Sequence, residues 1–519
     1  MKRRTMPLFE ARPLALAGFV GVLLALAPAA NAQNSAVPPV PPAAQLGRPQ
    51  LPVTGPWTLQ RAVDYALQNN LTVRQSELTA QQQEAIQRLN RAALLPTAGL
   101  NGTQGFNFGT NRDPFTNQFQ QLNVRTNNFS ATAQLTLFSG FQLRNTVKQG
   151  VLDAQAARID IAKARNDLSL NVASSFLQLL LAQELIRASE ARLGTVRAQV
   201  TQSEKLLKAG AVAEGNLLDS RAQLAGEERT LVTAQNQRDL AQLTLVQLLN
   251  LDPATATQFQ VDVPALADPT AYTTSPDGLD PNATYELARQ NQPDVQAADL
   301  RVESARRGID IARGAYYPRL TVAGGVQTGF SSVRTQFQRT QGEPVEVPVL
   351  QRDPAAPGGY SPSPFVLLSP QFNTQTLPYN FFDQLGDNRG EFVQFSLNIP
   401  ILNGLQSRVG VQRAQVNVQQ AELRSEQTRL QLRQTIQQSF ADALAAQRRF
   451  TASSRQVDAL QLAFRNAEIR FNNGLLNGTD FNIARNNLTA AESDMIQAKY
   501  EFFFRRKVLE FYQGKPLAL

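Results

Sequence analysis

The chain contains itself twice, and this duplication restricts its possible folds more than any other feature. The stretch Ala66-Leu67-Gln68-Asn69-Asn70-Leu71-Thr72-Val73 aligns without a gap on Ala288-Arg289-Gln290-Asn291-Gln292-Pro293-Asp294-Val295. The offset of 222 holds as far as Leu95-Pro96-Thr97-Ala98-Gly99-Leu100 against Tyr317-Pro318-Arg319-Leu320-Thr321-Val322. After a net insertion of 42 residues the register resumes at 264, where Phe138-Ser139-Gly140 faces Leu402-Asn403-Gly404, Phe176 faces Phe440 and Gly210 faces Gly474. Copies this long are not solenoid units. They predict a pseudo-symmetric molecule in which each half repeats one order of elements.

Within each half the hydropathy period changes. Residues 57–95 carry apolar side chains at helical spacing, and Pro96 stops the helix. Beyond it Ala98, Leu100, Gly102, Gln104, Phe106 and Phe108 alternate with Gly99, Asn101, Thr103, Gly105 and Asn107. After a polar loop, Phe129, Ala131, Ala133, Leu135 and Leu137 alternate with Ser130, Thr132, Gln134 and Thr136. The second half repeats the pattern with Leu320, Val322, Gly324, Val326 and Phe330, then with Val393, Phe395, Leu397, Ile399 and Ile401. Period 2 predicts hairpins over 97–138 and 319–402. One apolar face and one Ser/Thr/Asn/Gln/Gly face, over strands of about 11 residues, is the pattern of a membrane β-barrel. The Pro- and Gly-rich insertion at 331–390 is expected to be a long exposed loop.

Each hairpin leads into a proline-free helical stretch, 143–208 and 407–472. Ala154, Ala157, Ile161, Ala164 and Leu168 fall at alternating spacings of three and four, as do Val411, Ala414, Val418, Ala421, Ser425, Thr428 and Leu432. This is a coiled-coil seam with small residues that let helices approach closely. Rods of this length span roughly 90 to 100 Å, suited to crossing a compartment rather than to one globular core. Each ends in a glycine-bearing turn, Lys208-Ala209-Gly210-Ala211 and Asn472-Asn473-Gly474-Leu475, and a shorter return helix follows.

The ends of the chain have their own signals. Lys2, Arg3, Arg4 and Arg12, an apolar run and Ala30-Asn31-Ala32 predict a signal peptide over 1–32, cleaved after Ala32. A Pro-rich tether occupies 33–56, the first repeat 57–252, a connector 253–282, the second repeat 283–514 and a short tail 515–519.

Composition narrows the function. With no Cys there is no disulfide, thiol nucleophile or lipidated N-terminal cysteine, and with no His the commonest general base and metal ligand are missing. Neither catalytic residues nor a cofactor or metal are expected. The net charge of +8 is spread along helices among acids and Gln, which argues against nucleic-acid binding. No run after the leader is long and apolar enough for a membrane helix. Four strands cannot close a barrel, and an open sheet edge cannot be left in lipid. Three copies would supply twelve strands around a water-filled lumen. A soluble periplasmic coiled-coil scaffold is the alternative, but it gives no reason for the alternating hairpins. A carboxylate-dependent enzyme would need paired acids in the connector or the 331–390 loop, and none stands out.

The order and duplication of these elements resemble the TolC family of outer-membrane efflux proteins over essentially all of the mature chain. The residues that carry the resemblance are Ala66-Leu67-Gln68-Asn69-Asn70, Ala92-Ala93-Leu94-Leu95-Pro96 with Gly314-Ala315-Tyr316-Tyr317-Pro318, and Arg470-Phe471-Asn472-Asn473-Gly474-Leu475-Leu476-Asn477-Gly478-Thr479-Asp480. The resemblance implies an α+β membrane protein: a homotrimer with a 12-stranded outer-membrane β-barrel, four strands per chain, continued by a long periplasmic α-helical coiled-coil tunnel. It implies a passive, non-enzymatic exit duct of a tripartite efflux or type I secretion system, with a periplasmic adaptor and an inner-membrane transporter as partners. Asp480 falls where the family places the first acid of a ring at the periplasmic entrance. The second ring position is Ile483, and the matching first-repeat positions are Asn216 and Asp219. The family's tyrosine and arginine lock falls on Phe471 and Leu476, so that lock does not carry over. The turns around Gly210, Ala211, Gly474 and Leu475 correspond to adaptor-docking tips. A simpler role for Asp480 is to cap the return helix.

Overall fold

The structure is a computed structural model that describes residues 55–112, 119–121, 123–210, 212–262, 280–473 and 475–515. The leader with Ala32, most of the tether and connector, Ala211, Gly474 and the last four residues lie outside the described residues.

Each repeat opens with two short helices broken at the same place. In the first, α1 (Leu59–Asn69) is capped by the Thr58 side chain and α2 (Leu71–Ala92) by that of Asn70. The long helix α3 (Gln142–Lys208), its return helix α4 (Glu214–Leu249) and the five-residue α5 (Pro253–Thr257) follow. In the second repeat, α6 (Pro281–Asn291) is capped by Asp280, and α7 (Pro293–Arg313) starts on a proline whose missing N–H costs nothing at that position. After a short α8 (Phe381–Asp387) come the second long helix, α9 (Gln406–Asn472), and its return helix α10 (Gly478–Tyr512). Each long helix has 67 residues, about 100 Å at 1.5 Å per residue.

The two copies build their cores and their surface links from the same positions. Val63, Ala66 and Val172 are buried in the larger core with Trp57, Phe176, Leu179, Leu180 and Leu249. Their equivalents Tyr285, Ala288 and Ile436 form the smaller core. Arg165 pairs with Glu77 at 2.9 Å in the first repeat, and Arg429 with Asp299 at 2.7 Å in the second. Arg158–Glu84, at 2.6 Å, is answered by Glu422–Arg306 at 2.8 Å, the same two positions with the charges exchanged. Helix α3 packs on α2 and α7, and α7 packs in turn on α9, so these helices follow one another side by side.

Strands β1 (Thr97–Asn107), β4 (Val124–Ser139), β5 (Arg319–Ser331) and β10 (Gly390–Asn398) form one antiparallel sheet in the order β1-β4-β5-β10. Between the first pair lie the three-residue strands β2 (Thr110–Arg112) and β3 (Phe119–Gln121). The register puts Leu100, Ala131, Val326 and Glu391 in one row across the sheet, and Ala133, Gly324 and Val393 in the next. Leu135, Val322 and Phe395 fill a third row on that face. One face is therefore mainly apolar across all four strands. Two details differ from the simple alternation. A bulge between Thr136 and Phe138 puts Phe138, not Leu137, opposite Leu320, because an extra residue in one strand reverses the facing of the residues beyond it. Strand β10 stops at Asn398, so Ile399 and Ile401 lie beyond the ladder of the single chain.

The segment 331–390 is not an irregular loop. It is a nested arm in which β6 (Thr335–Gln341) pairs with β9 (Phe372–Pro378), and β7 (Val345–Arg352) with β8 (Tyr360–Ser369). Helix α8 fastens its base to β5. Among the described residues no helix is long and apolar enough to cross a membrane.

Candidate channel entrance

The two helical hairpins end in differently built turns. After α3, Gly210 adopts φ +71 and its N–H reaches the Leu207 carbonyl at 2.9 Å, closing the last turn as a left-handed residue that favours glycine. The next helix starts without a side-chain cap at Ala213. The second turn is tied more firmly. The Asn477 side chain accepts from the Asp480 N–H at 2.7 Å and donates to Asp480 Oδ2 at 3.0 Å. Asn477 is thus the N-cap of α10, and Asp480 lies three residues inside it. The expectation that Asp480 caps the helix is corrected: Asn477 precedes it and takes the extended backbone conformation that a cap requires.

Asp480, Asn216 and Asp219 are all exposed, as are Leu475 and Ile483, while Leu476 is half-buried. Asn216 occupies the place in α4 that Asp480 occupies in α10, and Asp219 stands one turn further along. The two hairpins are linked side by side close to these acids. Gln223 donates to Asn486 at 3.1 Å, and Arg192 donates to Ser493 at 2.6 Å. The turns of both repeats, with Asn216, Asp219 and Asp480, are therefore presented side by side.

Beneath the second tip is an aromatic cluster that sequence pattern did not reveal. Phe481 is buried, stacked on Phe471 with centroids 4.5 Å apart and an interplanar angle of 12°. Phe464 packs beside it at 5.5 Å, and the Arg485 guanidinium lies 4.8 Å from the Phe481 ring centroid. Arg485 is itself buried, and its Nε and Nη1 have no hydrogen-bond partner among the described residues. Burial lowers its pKa, while Glu227 and Glu468 counter by favouring the charged form. The position expected from the resemblance to hold the lock tyrosine, Phe471, is thus engaged in apolar stacking within its own hairpin. The available sequence signal was Leu217 facing Phe481: each repeat places a large apolar residue directly after its Asn216 or Asp480, and both are buried.

No group of His, Cys, Asp or Glu among the described residues could hold a metal ion. The family described as "Outer membrane efflux protein" matches residues 62–251, 284–347 and 367–506. The chain belongs to the outer membrane efflux protein family. The stretches left out between those segments are the connector and residues 348–366, the far part of the arm.

Individual relatives agree with this membership. The pyoverdine export outer membrane protein OpmQ of Pseudomonas putida is 28% identical over 205 residues, covering 39% of this chain and 40% of OpmQ. The outer membrane protein TolC of Vibrio cholerae is 26% identical over 259 residues, covering 49% of this chain and 54% of TolC. The chain thus spans only about two fifths to one half of the length of these curated relatives. The crystal structure of the outer membrane protein VceC of Vibrio cholerae shares the fold with a TM-score of 0.69 at 16% identity, covering 88% of this chain and 96% of VceC.

Proposed function

We propose that the protein is the outer-membrane exit duct of a tripartite efflux or type I secretion system, acting as a homotrimer. The observation that carries this reading is the four-stranded sheet, apolar on one face, with β1 and β10 both left as open edges. Lipid cannot satisfy the free N–H and C=O groups of such edges. Three copies close them into twelve strands, wide enough for a water-filled lumen. The 67-residue helices would continue that cylinder through the periplasm.

The duct is passive. Nothing in the chain is a nucleotide-binding loop, so the energy comes from an inner-membrane transporter, coupled through a periplasmic adaptor. The tips at Gly210 and Leu475 are the adaptor-docking surface, and Asp480, Asp219 and Asn216 line the periplasmic entrance. Carboxylates repeated around a threefold axis repel one another unless a cation lies between them, which favours cations in the resting channel. Opening moves the α9–α10 hairpin away from α3 and α4, across the Gln223–Asn486 and Arg192–Ser493 contacts. Adaptor binding drives it only as far as the adaptor prefers the open arrangement.

The test is biochemical. Purified outer membranes should contain the mature chain as a trimer that survives unheated detergent electrophoresis and collapses to monomer on boiling. Recovery of the chain as a monomer, or its release from membranes by salt alone, would favour the soluble scaffold instead.

A further inference from the structure

Charge gathers where the helices meet the sheet. The eight residues of α2, α3, α7 and α9 nearest the sheet hold nine basic residues and one acid, Asp310. That excess equals the net charge of +8 on the whole chain. At the other ends of the hairpins, the eight residues of α3, α4, α9 and α10 nearest the turns hold six basic residues and five acids. The excess is therefore local. Asp310 is engaged by Arg307 at 3.6 Å. Arg88, Arg144, Lys148 and Arg408 are exposed, and their side chains have no hydrogen-bond or ion-pair partner among the described residues.

Beside these cations stand two side chains that their backbone does not favour. Phe141 and Leu405, equivalent at the offset of 264, precede α3 and α9 with φ of 63° and 67°. That left-handed region suits Gly or Asn and is rare for a bulky residue. Neither side chain caps its helix, and both are exposed, at 51% and 63%. Phe141 meets Phe138 edge-on at 5.3 Å, and Phe138 lies opposite Leu320 on the mainly apolar face of the sheet. Phe141 thus carries that face beyond the last strand pair. Arg144 and Lys148 follow it at i+3 and i+7, on one helical stripe. The stripe is turned from both neighbours of α3, because Gln149 donates to the Ser304 carbonyl on α7 and Gly150 packs against Asn90 on α2. In α9 it recurs as Leu405, Arg408 and Gln412.

We propose, on the reading of the chain as a membrane-spanning trimer, that this collar binds anionic phospholipids of the leaflet facing the periplasm. Arg88, Arg144, Lys148 and Arg408 hold the phosphates, and Phe141 and Leu405 enter among the acyl chains. Lipid phosphates supply the negative charge that these cations lack within the chain. Acyl chains cover two apolar side chains that would otherwise be held against water in a costly backbone, and such strain is kept where the side chain has work that glycine could not do. The dimensions agree. Lys148, the cation farthest along its helix from the sheet, is about 10 Å from the start of α3. A headgroup layer is about 5–8 Å deep, within the span of basic side chains that snorkel.

Purified trimer in a non-ionic detergent is heated for a fixed time with rising amounts of phosphatidylglycerol, phosphatidylethanolamine or inorganic phosphate, and the surviving trimer is scored on gels. Phosphatidylglycerol should protect it, because a ligand bound only by the assembled form stabilises that form. The zwitterionic lipid and free phosphate should not. Arg144→Gln and Arg408→Gln, each made singly, should raise the half-protecting concentration of phosphatidylglycerol about fivefold, the factor one basic residue gains near an anionic surface. Both shifts should shrink at high salt. Phe141→Asn with Leu405→Asn suits the left-handed backbone and removes the apolar contact, so the trimer should survive heat without lipid at least as well as the wild type yet respond less to phosphatidylglycerol. Equal protection by the two phospholipids would overturn the proposal. So would an unchanged phosphatidylglycerol response in either the Gln or the Asn variants, or altered ion selectivity of the Gln variants in planar bilayers, which would put these cations in the lumen. In each of these cases the trimer itself stands; a wild-type chain that yields no unheated trimer would sink both readings.

Discussion

Asp480 and Phe481 are neighbours in sequence with separable duties, one facing water and the other buried beneath the tip. Because Asn477 supplies the cap, removing the Asp480 carboxylate takes away charge without unravelling the start of α10. Asp480→Ala is therefore expected to lower cation selectivity and weaken block by divalent cations in planar-bilayer recordings, with folding intact. Unchanged selectivity would take Asp480 out of the entrance. Asn477→Ala should do the reverse, loosening the helix start by about 1 kcal/mol while leaving the charge in place. Phe481→Ala removes the ring that stacks on Phe471 and lies under Arg485. Loss of a buried Phe costs about 3–5 kcal/mol, and here it also strips the buried Arg485 of its aromatic neighbour. The cost should appear as faster proteolysis at the α9–α10 tip, with the trimer still intact on unheated gels. A tip as resistant as the wild type would show that this cluster does not hold the hairpin.

At the scale of elements, the two repeats offer an experiment on themselves. Arg158–Glu84 and Glu422–Arg306 place opposite polarities at equivalent positions, so the local backbone accepts the pair either way round. Arg158→Glu alone sets two carboxylates together between α2 and α3, and Glu84→Arg alone sets two guanidiniums together. The double exchange should recover thermal stability to within error. Coupling between such exposed charges is expected to be about 0.2–1 kcal/mol, smaller at high salt. A double variant no more stable than the worse single would mean that the two repeats are not interchangeable there. This equivalence was legible in the residues alone, because period 2, the three-four seam and the two offsets are all local patterns. What escaped was whatever depends on a partner strand or on depth. The bulge at Leu137 exists only relative to β5. The arm's ladders were hidden because β8 runs Phe365-Val366-Leu367-Leu368 without alternation. At the second tip, Asn477, Gly478, Thr479 and Asp480 all suit a helix start, and only the backbone selects Asn477. Arg485 was invisible for another reason: its meaning lies in being buried over a ring four residues away.

Across the whole molecule, sheet and arm are joined by a small polar anchor, and this separates the base of the sheet from the far part of the arm. Gln384 on α8 is fully buried; it accepts from the Ser331 N–H at 3.0 Å and donates to the Ser331 carbonyl at 3.1 Å and the Tyr379 carbonyl at 3.0 Å. Phe381 packs on Phe330 at 5.0 Å, and Asn388 donates to the Gly329 carbonyl at 2.6 Å. These contacts end the β5–β10 ladder without using the far part of the arm, residues 348–366, which the family match also passes over. Replacing 348–366 with a short turn should thus leave the unheated trimer at wild-type yield and its melting unchanged, since shortening a loop changes its closure entropy only slightly. Gln384→Ala should behave otherwise. It takes the acceptor from the half-buried Ser331 N–H, at about 1–3 kcal/mol for a group left unpaired, while the Ser331 carbonyl keeps the Arg334 N–H at 3.3 Å, and trimer yield should fall although the arm keeps its full length. If the shortened arm abolished the trimer while Gln384→Ala did not, the arm itself would be part of the assembly, and the sheet could no longer be held sufficient to close the barrel.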